Sequence, residues 1–127
     1  MKPVLAYAFA KADDSYESAE ILFSHQHYAG SVNRCYYAMY YIVSTLVDER
    51  KNKHVKTHSG LIRVFSDEFI KNGELAQNLI TIFKKIFEKR QLADYDFNFN
   101  ISEEETKEIL EETRIFLETI RQILSEQ

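Results

Sequence analysis

Apolar residues recur at three- and four-residue steps along most of the chain, and these steps divide it into five helical segments. The first runs from Val4 to about His25, with Leu5, Phe9, Ala12, Tyr16, Ala19, Leu22 and Phe23 on one stripe. The second runs from Ser31 to about Glu49, with Gly30 supplying the turn before it. A polar, basic stretch from Arg50 to Thr57 leads into a third, shorter segment carrying Leu61, Ile62, Phe65 and Phe69. Thr57 or Ser59 can cap it, because a side-chain oxygen there can accept an unpaired N–H of the first turn. Asn72-Gly73 closes it.

The fourth segment spans Glu74 to about Arg90, with Leu75, Leu79, Ile82, Phe83, Ile86 and Phe87 inward. Ala93 to Ile101 alternates polar and aromatic residues. A single strand there would lack a partner, so it reads as an extended loop pinned to the bundle by Phe97 and Phe99. Ser102 and Glu105 stand in capping-box spacing before the fifth segment, whose stripe is Ile109, Phe116, Leu117, Ile120, Ile123 and Leu124. Three glycines and one proline are too few turn residues for an all-β chain of 127 residues. The expected fold is therefore all-α: an up-and-down four-helix bundle with an additional short helix, forming one domain over residues 1–127.

The second helix departs from an ordinary amphipathic pattern. At about 100° per residue, Val32, Cys35, Tyr36, Met39, Ile42, Val43 and Leu46 share one face, which is a core stripe. Asn33, Arg34, Tyr37, Tyr40, Tyr41 and Ser44 share the other. That face is aromatic and hydroxyl-bearing with one fixed positive charge, unlike the Lys/Glu surface of a solvated helix. It suits a second subunit, another helix or a phosphate-bearing ligand. A buried arginine here needs acceptors, and Asp94 and Asp96 are the candidates.

Charge changes the picture locally. Sixteen basic residues face twenty acidic ones, a net −4, which argues against a protein that coats nucleic acid generally. Yet Arg50, Lys51, Lys53, His54 and Lys56 cluster, as do Lys84, Lys85, Lys89 and Arg90, so a local anion site is compatible with the acidic total. They can equally be solvated loops and helix faces. The lone cysteine, Cys35, is expected as a small buried hydrophobe. No Cys/His spacing suggests a metal, no cofactor fingerprint is present, and no apolar run is long enough to span a bilayer. The first residues read as helix and not as a leader, which makes the cytoplasm the default location.

Three strings carry the remaining chemistry: Tyr28-Ala-Gly-Ser-Val-Asn-Arg-Cys-Tyr-Tyr-Ala-Met-Tyr-Tyr41, Lys56-Thr-His-Ser-Gly60 and Arg90-Gln-Leu-Ala-Asp-Tyr95. In this order and spacing they resemble the HEPN domain superfamily, and within it the small stand-alone proteins paired with a minimal nucleotidyltransferase. The likeness extends over nearly the whole chain. It implies a helical bundle that forms a homodimer, with an RNA or nucleotide ligand in a cleft between helices. It further implies a toxin–antitoxin-like module in which members cut RNA without a metal, using an arginine followed at short spacing by a histidine.

Arg90 matches that arginine, whereas Asp94-Tyr95 stand where the histidine is expected. The departure bears on the reaction. Attack by a ribose 2′-hydroxyl needs a base near neutral pH, which imidazole supplies and a tyrosine of pKa about 10 does not. Arg90 would still stabilise phosphorane charge through its fork of donors. His58, at a helix N-terminus, is the one imidazole that could join it.

The expected catalytic set is thus Arg90, Tyr95 and His58, with Asn33, Arg34, Tyr37 and Asp94 binding ligand. Tyr95 is also the candidate acceptor for AMP from the nucleotidyltransferase. Besides a structural dimer whose Tyr/Arg face is only the subunit contact, two other readings stay open. One is a non-catalytic nucleotide-binding or protein-interaction dimer. The other is a structural network in which Arg90 and Asp94 merely form an ion pair across one helical turn.

Overall fold

The computed structural model of the chain describes residues 1–126, and among these the secondary structure is entirely helical. Four long helices are α1 (Pro3–Ser24), α2 (Tyr28–Lys51), α4 (Gln77–Tyr95) and α5 (Glu103–Ser125). Between α2 and α4 lies the short α3 (His58–Phe65), which runs on through a π-helical turn at Ser66–Ile70. This is the expected bundle with one additional short helix. Among the described residues, no helix is long and apolar enough to cross a membrane.

α1 and α2 form an antiparallel hairpin tied by two buried hydroxyls. Ser15 donates to the Arg34 carbonyl and Ser31 to the Ala19 carbonyl, both at 2.8 Å. The turn between them does not come from Gly30, which lies in the first turn of α2. Gln26 supplies it with φ 65°, while Gly30 packs beside Leu22, whose methyl would lie 3.4 Å from a Cβ there, an ordinary contact distance.

α2 is the central helix. Val32, Cys35, Tyr36, Met39, Ile42 and Val43 are all fully buried, as the core stripe required. Phe65, Phe83 and Phe116 meet beneath it from α3, α4 and α5. Each contributes about 1.5–3 kcal/mol by leaving water. Cys35 sits in this core, and burial pushes its thiol up to about 12. The Tyr16 hydroxyl donates across the bundle to the Leu110 carbonyl at 3.0 Å, joining α1 to α5.

Two caps fix the helices that matter for the site. Thr57, not Ser59, caps α3: its hydroxyl accepts from the Gly60 N–H at 3.0 Å. A Cβ on Gly60 would lie 2.7 Å from that hydroxyl, so glycine makes the cap geometrically possible and thereby sets where His58 begins the helix. Ser102 caps α5 by accepting from the Glu105 N–H at 3.0 Å. The Glu105 carboxylate lies 2.7 Å from Lys89 of α4.

α4 differs from expectation at both ends. Asn72, Gly73 at φ 78° and Glu74 form a turn, in which the Asn72 side chain accepts from the Glu74 N–H, and the helix starts only at Gln77. At the other end it continues past Arg90 to Tyr95, because Gln91, Leu92 and Ala93 are sound helix formers with no breaker among them. The following loop is pinned by Phe99 and the buried Ile101. Phe97, expected as an anchor, is 99% exposed.

Candidate functional site

The polar face of α2 meets the last turn of α4. Extension of α4 to Tyr95 places Asp94 one turn beyond Arg90, on the same side of the helix. Arg90 is 7% exposed, a cation almost removed from water. Its Nε lies 3.3 Å from Asp94 Oδ2, close enough for an ion pair but without the alignment of a hydrogen bond. The same Oδ2 accepts from Asn33 Nδ2 at 3.0 Å. Asn33 Oδ1 in turn accepts from Arg34 Nε at 3.1 Å and Nη2 at 2.8 Å. The result is a continuous polar chain, Arg34–Asn33–Asp94–Arg90, across the two helices.

Asp94 therefore does not pair with Arg34 directly; Asn33 relays between them. Asp96 takes no part, since its carboxylate accepts from the Asn98 N–H in a local turn. The deeply buried arginine is the one on α4, and Arg34 is only half-buried.

Aromatic rings complete the enclosure. The Arg90 guanidinium carbon lies 5.2 Å from the Tyr36 ring centre, 5.3 Å from Tyr37 and 5.9 Å from Tyr95. Arg34 lies 5.2 Å from the same Tyr37 ring. Cation–π attraction at each face is worth roughly 0.5–2 kcal/mol, more where water is excluded. Two fixed positive charges thus share one network with a single carboxylate, which only Arg90 meets directly, leaving a surplus of positive charge and of N–H donors. That combination can hold an anion with several oxygens, above all a phosphate.

His58 enters from the start of α3. Its Nδ1 is 2.5 Å from the Tyr36 hydroxyl, and its ring stacks on Phe87 at 5.5 Å. Burial, aided by the positive charge of Arg90, holds the imidazole below its usual pKa, so it is neutral at pH 7. The Tyr36 phenol is pushed well above the ordinary range by burial, which outweighs the opposing pull of Arg90.

The structure thus brings Asn33, Arg34, Tyr37, Asp94 and Arg90 into one cluster. Tyr95 forms its exposed rim, 74% open to solvent, and His58 is joined to it through Tyr36. Tyr36 and Phe87 are the residues that pattern reasoning left in the core. For Tyr36 a signal existed: a fully buried tyrosine needs a partner for its hydroxyl.

Much of the charge in the two basic clusters is paired with carboxylates. Lys85 pairs with Glu108 and Glu112 at 3.1 and 2.8 Å, and Lys89 with Glu105. Arg50 pairs with Glu74 at 2.6 Å and Lys51 with Glu68 at 3.0 Å. A groove of about 760 Å³ between α1 and α5 lies away from the cluster. Its rim carries Glu20, Glu104, Glu108, Glu111 and Glu112, which makes it unsuited to an anion.

Comparison with known proteins agrees in kind. The family model described as the HEPN domain matches residues 6–123. A protein of Methanocaldococcus jannaschii named as a candidate toxin is 37% identical over 114 residues, covering 90% of this chain and 77% of its own. A second protein of that organism with the same kind of name is 31% identical over 115 residues, covering 91% and 84%. A UPF0332 protein of Thermotoga maritima is 28% identical over 123 residues, covering 97% and 92%.

Proposed function

The chain belongs to the HEPN domain family, and from that premise we propose that it is a toxin-like HEPN protein that binds RNA or a nucleotide at the Arg90 cluster. Its setting is a toxin–antitoxin-like module, with a minimal nucleotidyltransferase as partner and a homodimer as the working form. The observation that carries the binding reading is the state of Arg90. It is buried, its Nε lacks a well-formed hydrogen bond, and it shares its one carboxylate with Asn33. Buried charge is costly unless well paired, and an incoming phosphate would supply the missing acceptors. The toxin-like names of the two archaeal relatives support the same setting.

The roles follow from position. Arg90 anchors the phosphate; Asn33 and Asp94 hold the guanidinium in place; Arg34 and Tyr37 extend the surface along α2. Tyr95 is the accessible hydroxyl at the rim and the acceptor for AMP transferred by the nucleotidyltransferase. The test is fluorescence polarisation with a labelled single-stranded RNA and with a 5′-nucleotide. Binding to wild type that is lost in Arg90→Ala supports the reading, and binding indifferent to Arg90 removes it.

A second reading, metal-independent RNA cleavage, is favoured by the nearness of His58 to Arg90 across the Tyr36 ring. Prolonged incubation of labelled RNA at neutral pH tests it. Products that disappear in both Arg90→Ala and His58→Ala are expected if it holds, and intact RNA refutes it.

A further inference from the structure

We infer that Tyr36 is a positioning residue that fixes His58 in the Nε2–H tautomer, making the imidazole a hydrogen-bond donor to the phosphate held by Arg90 and not a base. This rests on the proposed ligand site and assigns a role within it.

The argument begins with the phenol. Tyr36 is fully buried, and the recorded partner of its hydroxyl is His58 Nδ1. Burial keeps that hydroxyl protonated. If it donates to Nδ1, the phenol proton and the Nδ1 lone pair are both used, and the neutral ring carries its single proton on Nε2. If instead Nδ1–H donated to the phenol oxygen, the phenol proton would be left without an acceptor in the core. That costs about 1–3 kcal/mol, enough to bias the tautomer by roughly fivefold to more than a hundredfold.

The ring is held as well as protonated. Phe87 stacks on it at 5.5 Å with 27° between planes, and Tyr36 and Tyr40 close on it at 5.5 and 5.6 Å. The Thr57 cap fixes the backbone from which it projects. Phe87 precedes Arg90 on α4 by three residues, so the two lie on one side of that helix. Arg90 and His58 also flank the same Tyr36 ring.

The pair therefore offers guanidinium N–H groups and an imidazole N–H, with no lone pair between them. Such a lining recognises phosphate oxygens, of a diester backbone or a terminal monoester. The imidazole is not ready to remove a proton from a ribose hydroxyl, because its Nδ1 lone pair is already used, and the Asp94 carboxylate is engaged by Arg90 and Asn33.

The decisive experiment is a long-range 1H–15N correlation spectrum of histidine-labelled wild-type protein at pH 7.5, with His58 assigned by its absence in His58→Gln. The Nε2–H pattern is expected; the Nδ1–H pattern or a mixture overturns the inference. Tyr36→Phe keeps the ring and removes the hydroxyl, so the tautomers should mix and affinity should fall about three- to tenfold. His58→Gln, which can place an amide N–H near the lost one, should bind within about threefold of wild type, and His58→Ala should not.

A mixed-sequence RNA oligomer and a 5′-monophosphate nucleotide serve as separate probes, and the tighter one identifies the source of the phosphate. Wild-type binding that ignores Arg90→Ala overturns the site itself. Arg90-dependent binding and a tautomer both unmoved by Tyr36→Phe overturn only the role of Tyr36. RNA cleavage abolished in His58→Gln would show His58 acting as a base and would also refute it.

Discussion

The two faces of α4 use positive charge in opposite ways. Lys85 and Lys89 face α5, are about a third exposed, and meet three glutamates at 2.7–3.1 Å. Arg90, the very next residue, turns toward α2, is almost wholly buried, and has one carboxylate at 3.3 Å that it shares with an amide. The lysines are satisfied where water could have satisfied them anyway. The arginine is under-satisfied where little water reaches. Surface pairs of the first kind contribute about 0–1 kcal/mol, whereas a buried cation with unused donors holds several kcal/mol of potential interaction in reserve. The under-paired charge, and not the density of charge, marks the functional face.

The largest effect that would break this contrast is loss of ligand binding in Arg90→Ala. Charge-assisted hydrogen bonds are worth about 1.5–3 kcal/mol, so affinity for RNA or nucleotide should fall roughly ten- to more than hundredfold by polarisation or calorimetry. Arg90→Lys keeps the charge but loses the planar fork, and should fall between the two. Asp94→Asn comes next and separates stability from binding. Removing the carboxylate should lower thermal stability by about 1–3 kcal/mol while tightening anion binding severalfold, because the competing internal anion is gone. A weaker-binding Asp94→Asn would mean that Asp94 itself contacts ligand.

On the opposite face, Lys85→Met and Lys89→Met should each change stability by less than about 1 kcal/mol and leave affinity unaltered. A drop in affinity as large as that of Arg90→Ala would erase the distinction between the faces.

The contrast was only partly legible in the chain. The core stripe of α2, the five segments and the Ser102 cap follow from spacing and capping chemistry, which act locally. The end of α4 was misplaced because the aromatic alternation of Tyr95, Phe97 and Phe99 imitates an extended segment, while the helix-forming Gln91-Leu92-Ala93 carries the helix on to Tyr95. That matters for the site, since Asp94 reaches Arg90 by virtue of this added turn. Asn33, Arg34, Tyr37, His58, Arg90 and Asp94 could be named in advance, and so could the Arg90–Asp94 pair across one helical turn, but not the link through Asn33 to α2. Pairing between α2 and α4 depends on helix rotation, which sequence periodicity leaves open by tens of degrees. The role of Tyr36 was missed for a different reason: on a helix wheel it falls on the core stripe like a phenylalanine, and only its hydroxyl signals that it needs a partner.

The smallest expected effect concerns pH, and the two regions respond at opposite ends of the scale. His58 has a folded-state pKa below its unfolded value near 6.5, because burial and then Arg90 disfavour the imidazolium. Well above pH 6.5 neither state is appreciably protonated and the contribution to stability is complete. As pH falls below 6.5 the unfolded chain binds a proton that the folded chain resists, so stability declines until the folded pKa is passed. Tyr16, on the α1–α5 side, behaves in the reverse sense. Burial, and then Glu20, raise its phenol from 10.0 to about 12, so the unfolded state ionises first and stability declines from pH 10 to about 12. Urea unfolding across pH isolates each arm by difference: His58→Gln should flatten the curve only below 6.5, and Tyr16→Phe only above 10. If His58→Gln left the acidic arm unchanged, the imidazole would not be held neutral by its surroundings, and the coupling between Arg90, Tyr36 and His58 would lose its electrostatic basis.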